Sequence, residues 1–415
     1  MRLLHTSDWH LGQTFHSYER SAEHAHFLGW LLQQLIEQEP DVLVIAGDIF
    51  DTANPSAAAQ QQFYRFISAA LKQQPDINII ITAGNHDSAH RLEAPSPILR
   101  ELGVTLIGTV PRNEDGLVDV RRLVIPLGNK NSNPTGWCVA LPFLRPGDLP
   151  RHPEMADHYQ DGVAALYEAT LQHAVALRGE SQLPIIGIGH LHLVGGEVSE
   201  LSERRLIVGG NEALSANIFG DAFSYVALGH LHKAQQVGHP HIRYCGSPLP
   251  MSFSEIDYTH QVVLVDFEGC AVTNIMPLII PRSVPLLRLP KQRADINDVL
   301  AMLTSLELPE ASFDEQPYLE VRVALRQPEP DLRRRIEEAL TGKPVRLVRI
   351  DAQIVREHSN EQPLHAHGLN DMQQIQPLEV FRNIYETTYG TPPKETLIHA
   401  FAELASRAQH EEISA

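Results

Sequence analysis

Five short clusters in this sequence combine carboxylate, imidazole and amide oxygen with glycine or serine. They are Ser7-Asp8-Trp9-His10, Gly47-Asp48-Ile49-Phe50-Asp51, Gly84-Asn85-His86-Asp87, Gly189-His190-Leu191-His192 and Gly229-His230-Leu231-His232. Donors of this kind are hard or borderline and include no cysteine, which suits Mn²⁺, Fe or Zn²⁺ and not a thiolate-selected metal. One ion takes roughly four to six ligands. The clusters offer at least seven, so two ions are the better count. In two-metal sites the ions lie about 3.5–4 Å apart and clamp the attacking and leaving oxygens of an in-line displacement at phosphorus. A carboxylate is suited to bridging such ions, and neighbouring glycines let backbone approach closely. Taken singly, Asp8/His10 is a surface or capping pair, Asp48 an N-cap, Asn85 a turn residue, and each Gly-His-Leu-His a histidine pair at a strand end. What favours chemistry is that all five follow a predicted strand.

The elements that would position them are short β-branched runs alternating with longer helical patterns, the mark of a layered α/β architecture. Strands are expected at Arg2–Thr6, Val42–Ala46, Ile77–Thr82, Pro184–Ile188, Tyr225–Leu228, Ile242–Cys245 and Val262–Phe267, with helices at Glu23–Glu37 and Ala57–Lys72. Ligands in α/β sheets gather at the carboxyl ends of strands, so the clusters are expected to converge on one crevice. Prolines at 277, 281, 285 and 290 punctuate the chain, and a small α-β-α-β unit is expected beyond them: helix Ile296–Leu306, strand Tyr318–Leu325, helix Asp331–Leu340 and strand Val345–Val355. A polar linker follows. Two terminal helices, Pro377–Tyr389 and Pro393–Gln409, end the chain.

Composition bounds the rest. The 415 residues predict two or three domains, and 43% hydrophobic content suffices for a substantial core. Three cysteines in a chain this long point to a reducing compartment. No run reaches the length of a membrane span, and a charged residue interrupts the first ten residues, so a cytoplasmic protein is expected. A net charge of −18 argues against a polyanionic partner, but it is uneven. Residues 1–281 carry −13, residues 282–350 carry +1, and residues 351–415 carry −6.

In order and type, the clusters resemble the calcineurin-like metallophosphoesterase superfamily, with its D-x-H, G-D-x-x-D, G-N-H-[DE], G-H and G-H-x-H blocks. Leu4-His5-Thr6-Ser7-Asp8-Trp9-His10-Leu11-Gly12-Gln13, Pro142-Phe143-Leu144-Arg145-Pro146 and Arg243-Tyr244-Cys245-Gly246-Ser247-Pro248 are similar to the branch that pairs with SbcC-type coiled-coil ATPases. The resemblance implies a β-sandwich nuclease domain at 1–281 flanked by helices and a smaller α/β DNA-capping domain at 282–356. It also implies a linker at 357–376 and C-terminal helices at 377–415 that dock on the ATPase. It implies that Asp8, His10 and His232 hold one ion and Asn85, His190 and His230 the other, with Asp48 bridging. Mn²⁺ is the implied metal, with Mg²⁺ or Zn²⁺ as alternatives. His86 would be catalytic, near the scissile phosphate, and Asp51 and Asp87 would orient ligands or backbone. His192 would lie near the site without a direct role. Arg333, Arg334, Arg335, Arg346 and Arg349 are candidate DNA contacts. The implied activity is 3′→5′ exonuclease action on duplex ends and endonuclease action on single strands and hairpins, in DNA repair, replication and recombination. The protein would act as a homodimer within a heterotetramer. The alternative activities are a metallophosphatase acting on a small-molecule or phosphoprotein substrate, and a non-enzymatic DNA-end tether.

Overall fold

A computed structural model describes residues 1–128, 133–150, 159–199 and 213–354, with isolated positions 381, 385, 393, 397, 398 and 401. Two six-stranded sheets face each other. The first runs Ala271–Ile279, Gln261–Glu268, Arg2–Thr6, Val42–Ala46, Asn78–Thr82, Val104–Ile107. Its last four strands are parallel, and a hairpin antiparallel to Arg2–Thr6 closes the other side. The second sheet runs Gln235–Val237, His239–Tyr244, Tyr225–Gly229, Ile185–His190, Gly136–Ala140, Val124–Leu127, with its four middle strands parallel.

Strand alternation sorts the side chains into two cores. Leu3, Val42, Val44, Ala46 and Ile80 point inward and pack with Val139, Val226 and Ala227 of the second sheet. Leu4, Leu43, Ile45, Ile79 and Ile81 point outward, where Phe27, Leu31 and Leu35 of helix Ser21–Gln38 and Phe63 and Ile67 of helix Ala57–Gln73 cover them. Both faces of Val42–Ala46 are therefore buried, which is why it reads as an unbroken apolar run. Each such side chain contributes about 1.5–3 kcal/mol. His5 lies on the inward face, with Nδ1 3.0 Å from the Tyr225 hydroxyl and Nε2 donating to the Leu228 carbonyl at 3.2 Å. This pairing uses both nitrogens of a neutral ring.

Residues 286–354 form a three-stranded parallel sheet, Leu286–Asp295, Tyr318–Leu325 and Arg346–Ile354, with helices Ile296–Thr304 and Leu332–Ala339 burying Val299, Leu303 and Ile336 against it. The unit is thus β-α-β-α-β. Its first strand escapes sequence reasoning because Pro290 lies inside it, just as Pro277 lies inside Ala271–Ile279. Both are edge strands, where a missing outward N–H costs no ladder bond. Strand Val104–Ile107 and helix Tyr159–Arg178 were likewise not expected.

A small aromatic core of Phe15, Phe253, Val284, Leu286 and Tyr318 joins this sheet to the sandwich. There Arg20 grips Glu23 through two bonds of 2.9 and 2.8 Å, and the Tyr318 hydroxyl donates to Glu23 at 2.9 Å. The expected linker at 357–376 lies outside the described residues. Of the expected terminal helices, only the isolated positions are described, and among them the rings of Phe381 and Phe401 stack at 4.4 Å. No helix among the described residues is long and apolar enough to cross a membrane.

Candidate metal centre

The clusters meet where the carboxyl ends of both sheets come together. Asp8, Asp48 and Asn85 follow strands of the first sheet, and His190 and His230 end or follow strands of the second. Backbone bonds stitch these ends together. The Asp8 N–H donates to Gly47 and the His10 N–H to Asp48, both at 3.0 Å, and the His230 N–H donates to the Asp8 carboxylate at 2.9 Å. The approach is close enough that a Cβ on Gly47 would stand 2.2 Å from His190 Nδ1, and one on Gly84 would stand 2.1 Å from Asp48 Oδ1. Gly47 also takes φ +87°, which side-chain-bearing residues rarely adopt.

Ligand atoms fall into three overlapping groups, each within 4.8 Å: Asp8, His10 and His232; His10, Asp48 and His86; and Asp8, Asp48 and His190. Asp48 Oδ2 lies between the halves, 3.6 Å from His10 Nε2 and 3.3 Å from His190 Nε2. In the second half, Asn85 Oδ1 is 3.0 Å from His190 Nε2 and 3.1 Å from His230 Nδ1. Outer partners set the rings. His190 Nδ1 donates to the Ala46 carbonyl at 2.9 Å, and His10 Nδ1 lies 3.2 Å from Asp51 Oδ1. His232 Nδ1 lies 3.2 Å from Glu255 Oε1. For these three histidines, Nε2 is the nitrogen left to face the cluster.

This geometry fits a pair of metal ions. His10 Nε2 is buried with no hydrogen-bond partner, a costly arrangement unless a ligand is to be met there. The other donors are oxygens and imidazole nitrogens, and the rings of His10, His190 and His232 are oriented from behind in the manner of metal-binding histidines. The electrostatics agree. Burial alone would raise the Asp48 carboxyl, but the charge and hydrogen bond of His190, with His10 and His86 nearby, hold it well below the usual carboxylate range. Burial would lower His190, yet Asp48 raises it to about 9. Asp8 is raised, chiefly by burial and further by Asp48, against the pull of His190, His232 and His10.

His86 belongs to the second of the ligand groups. Its N–H donates to Asp48 Oδ1 at 2.8 Å, and Nδ1 donates to the Asp51 carbonyl at 2.8 Å. Its ring centroid is 4.8 Å from that of His10. Asp87 is buried and accepts the N–H groups of Ile49, Phe50 and Gly84 at 2.9–3.1 Å, tying the second cluster to the third. Burial, and next the charge of Asp48, raise Asp87 to about 6 against those three bonds. His192 belongs to none of the ligand groups, and its ring lies 6.2 Å from that of His230.

The five arginines differ. Arg333 pairs with Glu337, Arg334 with Asp331 and Glu338, and Arg335 with Glu329, on or beside one helix. The pairs of Arg333 and Arg334 are exposed on both sides and hold each other weakly, whereas Arg335 and Glu329 are each 29% exposed. Arg349 lies 3.4 Å from Glu320 and is partly exposed. Arg346 is buried, its guanidinium 3.9 Å from the Tyr318 ring centroid and its N–H groups spent on the carbonyls of Gln316 and Asp314. With Nε and Nη2 committed and the residue 3% exposed, Arg346 is a structural residue of the junction and is poorly placed to meet a phosphate. Sequence reasoning missed Glu255, which lies 23 residues beyond His232 with no spacing to suggest their contact.

A family model described as calcineurin-like phosphoesterase matches residues 1–234. A second, described as type 5 capsule protein repressor C-terminal domain, matches residues 282–389. The SbcD component of the SbcCD nuclease of Rhodobacter capsulatus is 41% identical over 353 residues, covering 84% of this chain and 86% of the relative. The corresponding SbcCD nuclease component of Escherichia coli K12 is 32% identical over 355 residues, covering 84% of each chain. Its namesake in Bacillus subtilis is 30% identical over 420 residues, 99% of this chain and all of the relative.

Proposed function

This chain belongs to the calcineurin-like phosphoesterases and, within them, to the SbcD nucleases, and from that premise we propose that it is a dimanganese nuclease acting on DNA ends with an SbcC-type ATPase. Its enzymatic class is that of a metal-dependent phosphodiesterase. In this reading Asp8, His10 and His232 hold one ion, Asn85, His190 and His230 the other, and Asp48 both. The observation that carries it is Asp48 Oδ2 between His10 Nε2 and His190 Nε2, a single ionised oxygen facing both halves of the cluster. Two ions bound there supply Lewis-acid polarisation and charge stabilisation to an in-line displacement at phosphorus.

The chain's own residues do the rest. Asp51 fixes the His10 ring, and Asp87 holds the loops bearing Asp48 and Asn85 at their separation. His86, with Nδ1–H committed to the Asp51 carbonyl, has Nε2 free to meet the substrate, where it stabilises or protonates the leaving oxygen. Residues 282–356 act as a cap that guides DNA through Arg333, Arg334, Arg335 and Arg349. Residues 377–415 dock on the ATPase, and the protein works as a homodimer within a heterotetramer. The substrates are duplex ends, degraded 3′→5′, and single strands and hairpins, cut internally.

A manganese-dependent assay comparing a hairpin-ended duplex with a phosphopeptide, with and without an SbcC-type partner and ATP, tests this. Cleavage of the hairpin, abolished in Asp48→Ala and in His86→Ala with metal retained in the latter, is expected. Phosphopeptide hydrolysis without any phosphodiester cleavage would sink the proposal.

A further inference from the structure

We infer that Glu255 is a positioning residue of the metal centre, a buried carboxylate that orients His232 toward Asp8 and His10; this rests on the two-ion reading above. Glu255 is fully buried, and a carboxylate taken out of water needs partners on both oxygens. One oxygen stands 3.2 Å from His232 Nδ1, and the other accepts the Met251 N–H at 2.8 Å. Facing a carboxylate oxygen, Nδ1 is the nitrogen placed to carry the proton, which turns Nε2 toward the cluster.

The turn that bears Glu255 is itself held fast. Residues Phe253–Glu255 form a single helical turn opened by Ser252, whose hydroxyl accepts the Ser254 N–H at 3.2 Å. Arg20 donates to the Pro250 carbonyl at 2.7 Å, and Arg288, from the edge strand of the three-stranded sheet, donates to the Phe253 carbonyl at 2.6 Å. The Ser247 N–H donates to the His232 carbonyl at 3.1 Å, so the segment is registered to the histidine it orients. Neither carboxylate nor ring can shift alone.

Comparison with the other histidines sets the expected size. His190 is oriented by a neutral carbonyl, and His10 by the Asp51 side chain, which is 31% exposed and screened by water. Glu255, a carboxylate with no solvent around it, is screened less than Asp51. Loss of such a partner typically costs about 10–100-fold in metal affinity.

The test is Mn²⁺ titration of the full chain by calorimetry and equilibrium dialysis, comparing wild type, Glu255→Gln and His232→Ala. Glu255→Gln is expected to bind one ion about 10–100-fold more weakly and the other as wild type does, and His232→Ala is expected to lose that same ion. Uptake of both ions by Glu255→Gln at wild-type affinity overturns the inference, and so does equal weakening of both. A wild-type chain that binds only one ion overturns the two-ion reading instead, so the two failures are distinguishable. Should Glu255→Gln not fold, Glu255→Asp withdraws the carboxylate by one methylene and is read in the same way.

Discussion

Replacing Gly84 by alanine adds one methyl group at the point where the second and third clusters touch. That carbon would stand 2.1 Å from Asp48 Oδ1, 2.3 Å from the Asp48 backbone nitrogen and 2.7 Å from its carboxyl carbon. Relief to an ordinary contact of 3.4 Å or more requires movement of over 1 Å. Neither strand end can supply it, because Ala46 pairs with Thr82, the Gly84 N–H is bound to Asp87, and the Asp48 carbonyl is bound to the His10 N–H. The Asp48 carboxylate must therefore turn away from His86 N–H and from the histidines it faces, and the contact with its backbone nitrogen is relieved only by breaking one of those bonds. Overpacking of this sort costs about 1–3 kcal/mol, and a misplacement of about 1 Å at a reacting centre costs about 10²-fold in rate. We expect Gly84→Ala to fold, to melt several degrees lower, to take up manganese poorly, and to cleave a hairpin-ended duplex at least about 10²-fold more slowly. Gly147→Ala, where the added carbon meets nothing within 4 Å, is the control for the glycine effect itself. A Gly84→Ala protein that cleaves within about threefold of wild type with both ions bound would refute the reasoning.

Metal removal should destabilise the chain. At manganese about 100-fold above its dissociation constant each ion adds about 2.7 kcal/mol, so chelation should lower the melting temperature of a domain this size by roughly 4–5 °C per ion; an unchanged melt would mean that the cluster does not bind metal. Acid should destabilise the metal-free protein as well, because burial holds His5 and His24 at about 3 and His260 at about 4. Below the ordinary histidine value the unfolded chain takes up protons that the folded chain refuses. Stability is therefore full above about pH 6.5 and is lost as pH falls, while Asp87, raised to about 6, works in the opposite sense over part of that window. His190, raised to about 9, opposes the loss as Asp87 does, and the balance is about 2 kcal/mol lost between pH 7 and 5.5, measurable by denaturant titration at each pH; equal midpoints would contradict the burial of those rings. Finally, DNA binding by the lone chain should depend only shallowly on salt. Four displayed arginines, Arg333, Arg334, Arg335 and Arg349, release counterions for a log–log slope of about −3.6 at most, and a much steeper slope would show that other cations carry the DNA.

Much of this was legible because the chemistry sits at strand ends. The strand Val42–Ala46 is a continuous apolar run closed by Gly47-Asp48, and the strand Arg2–Thr6, built on Leu3 and Leu4, is closed by Ser7-Asp8, so the boundary and the ligand announce each other. The strand at Leu286–Asp295 was not legible, since proline reads as a break unless the strand is known to be an edge, and edges are a property of the assembled sheet. Arg346 shows the same limit from the other side. Its charge invites a phosphate, yet only the tertiary placement of Tyr318 and of two carbonyls reveals that the guanidinium is consumed inside the junction. Glu255 could not be ranked above the other glutamates, because its proximity to His232 depends on the folding back of the segment that begins at Gly246.

The backbone of the site explains why those strand ends, and not the loops beyond them, carry the ligands. Asp8, His10, Asp48 and His230 adopt positive φ, at 54°, 46°, 49° and 101°, a conformation that costs residues of these types of order 1–3 kcal/mol each. In isolation such turns would relax. They persist because each is pinned by another: Asp8 to Gly47, His10 to Asp48, and His230 to the carboxylate of Asp8, across two sheets held face to face by a shared apolar core. The strained turns and the bonds between them are thus parts of one structure, formed together when the sheets meet. Preformed ligands lose little freedom on binding an ion, so the folding energy of the sandwich becomes the pre-organisation of the centre. This also accounts for the methyl-sized tolerances at Gly47 and Gly84, since a site assembled from five chain segments keeps its geometry only if no segment can be pushed aside.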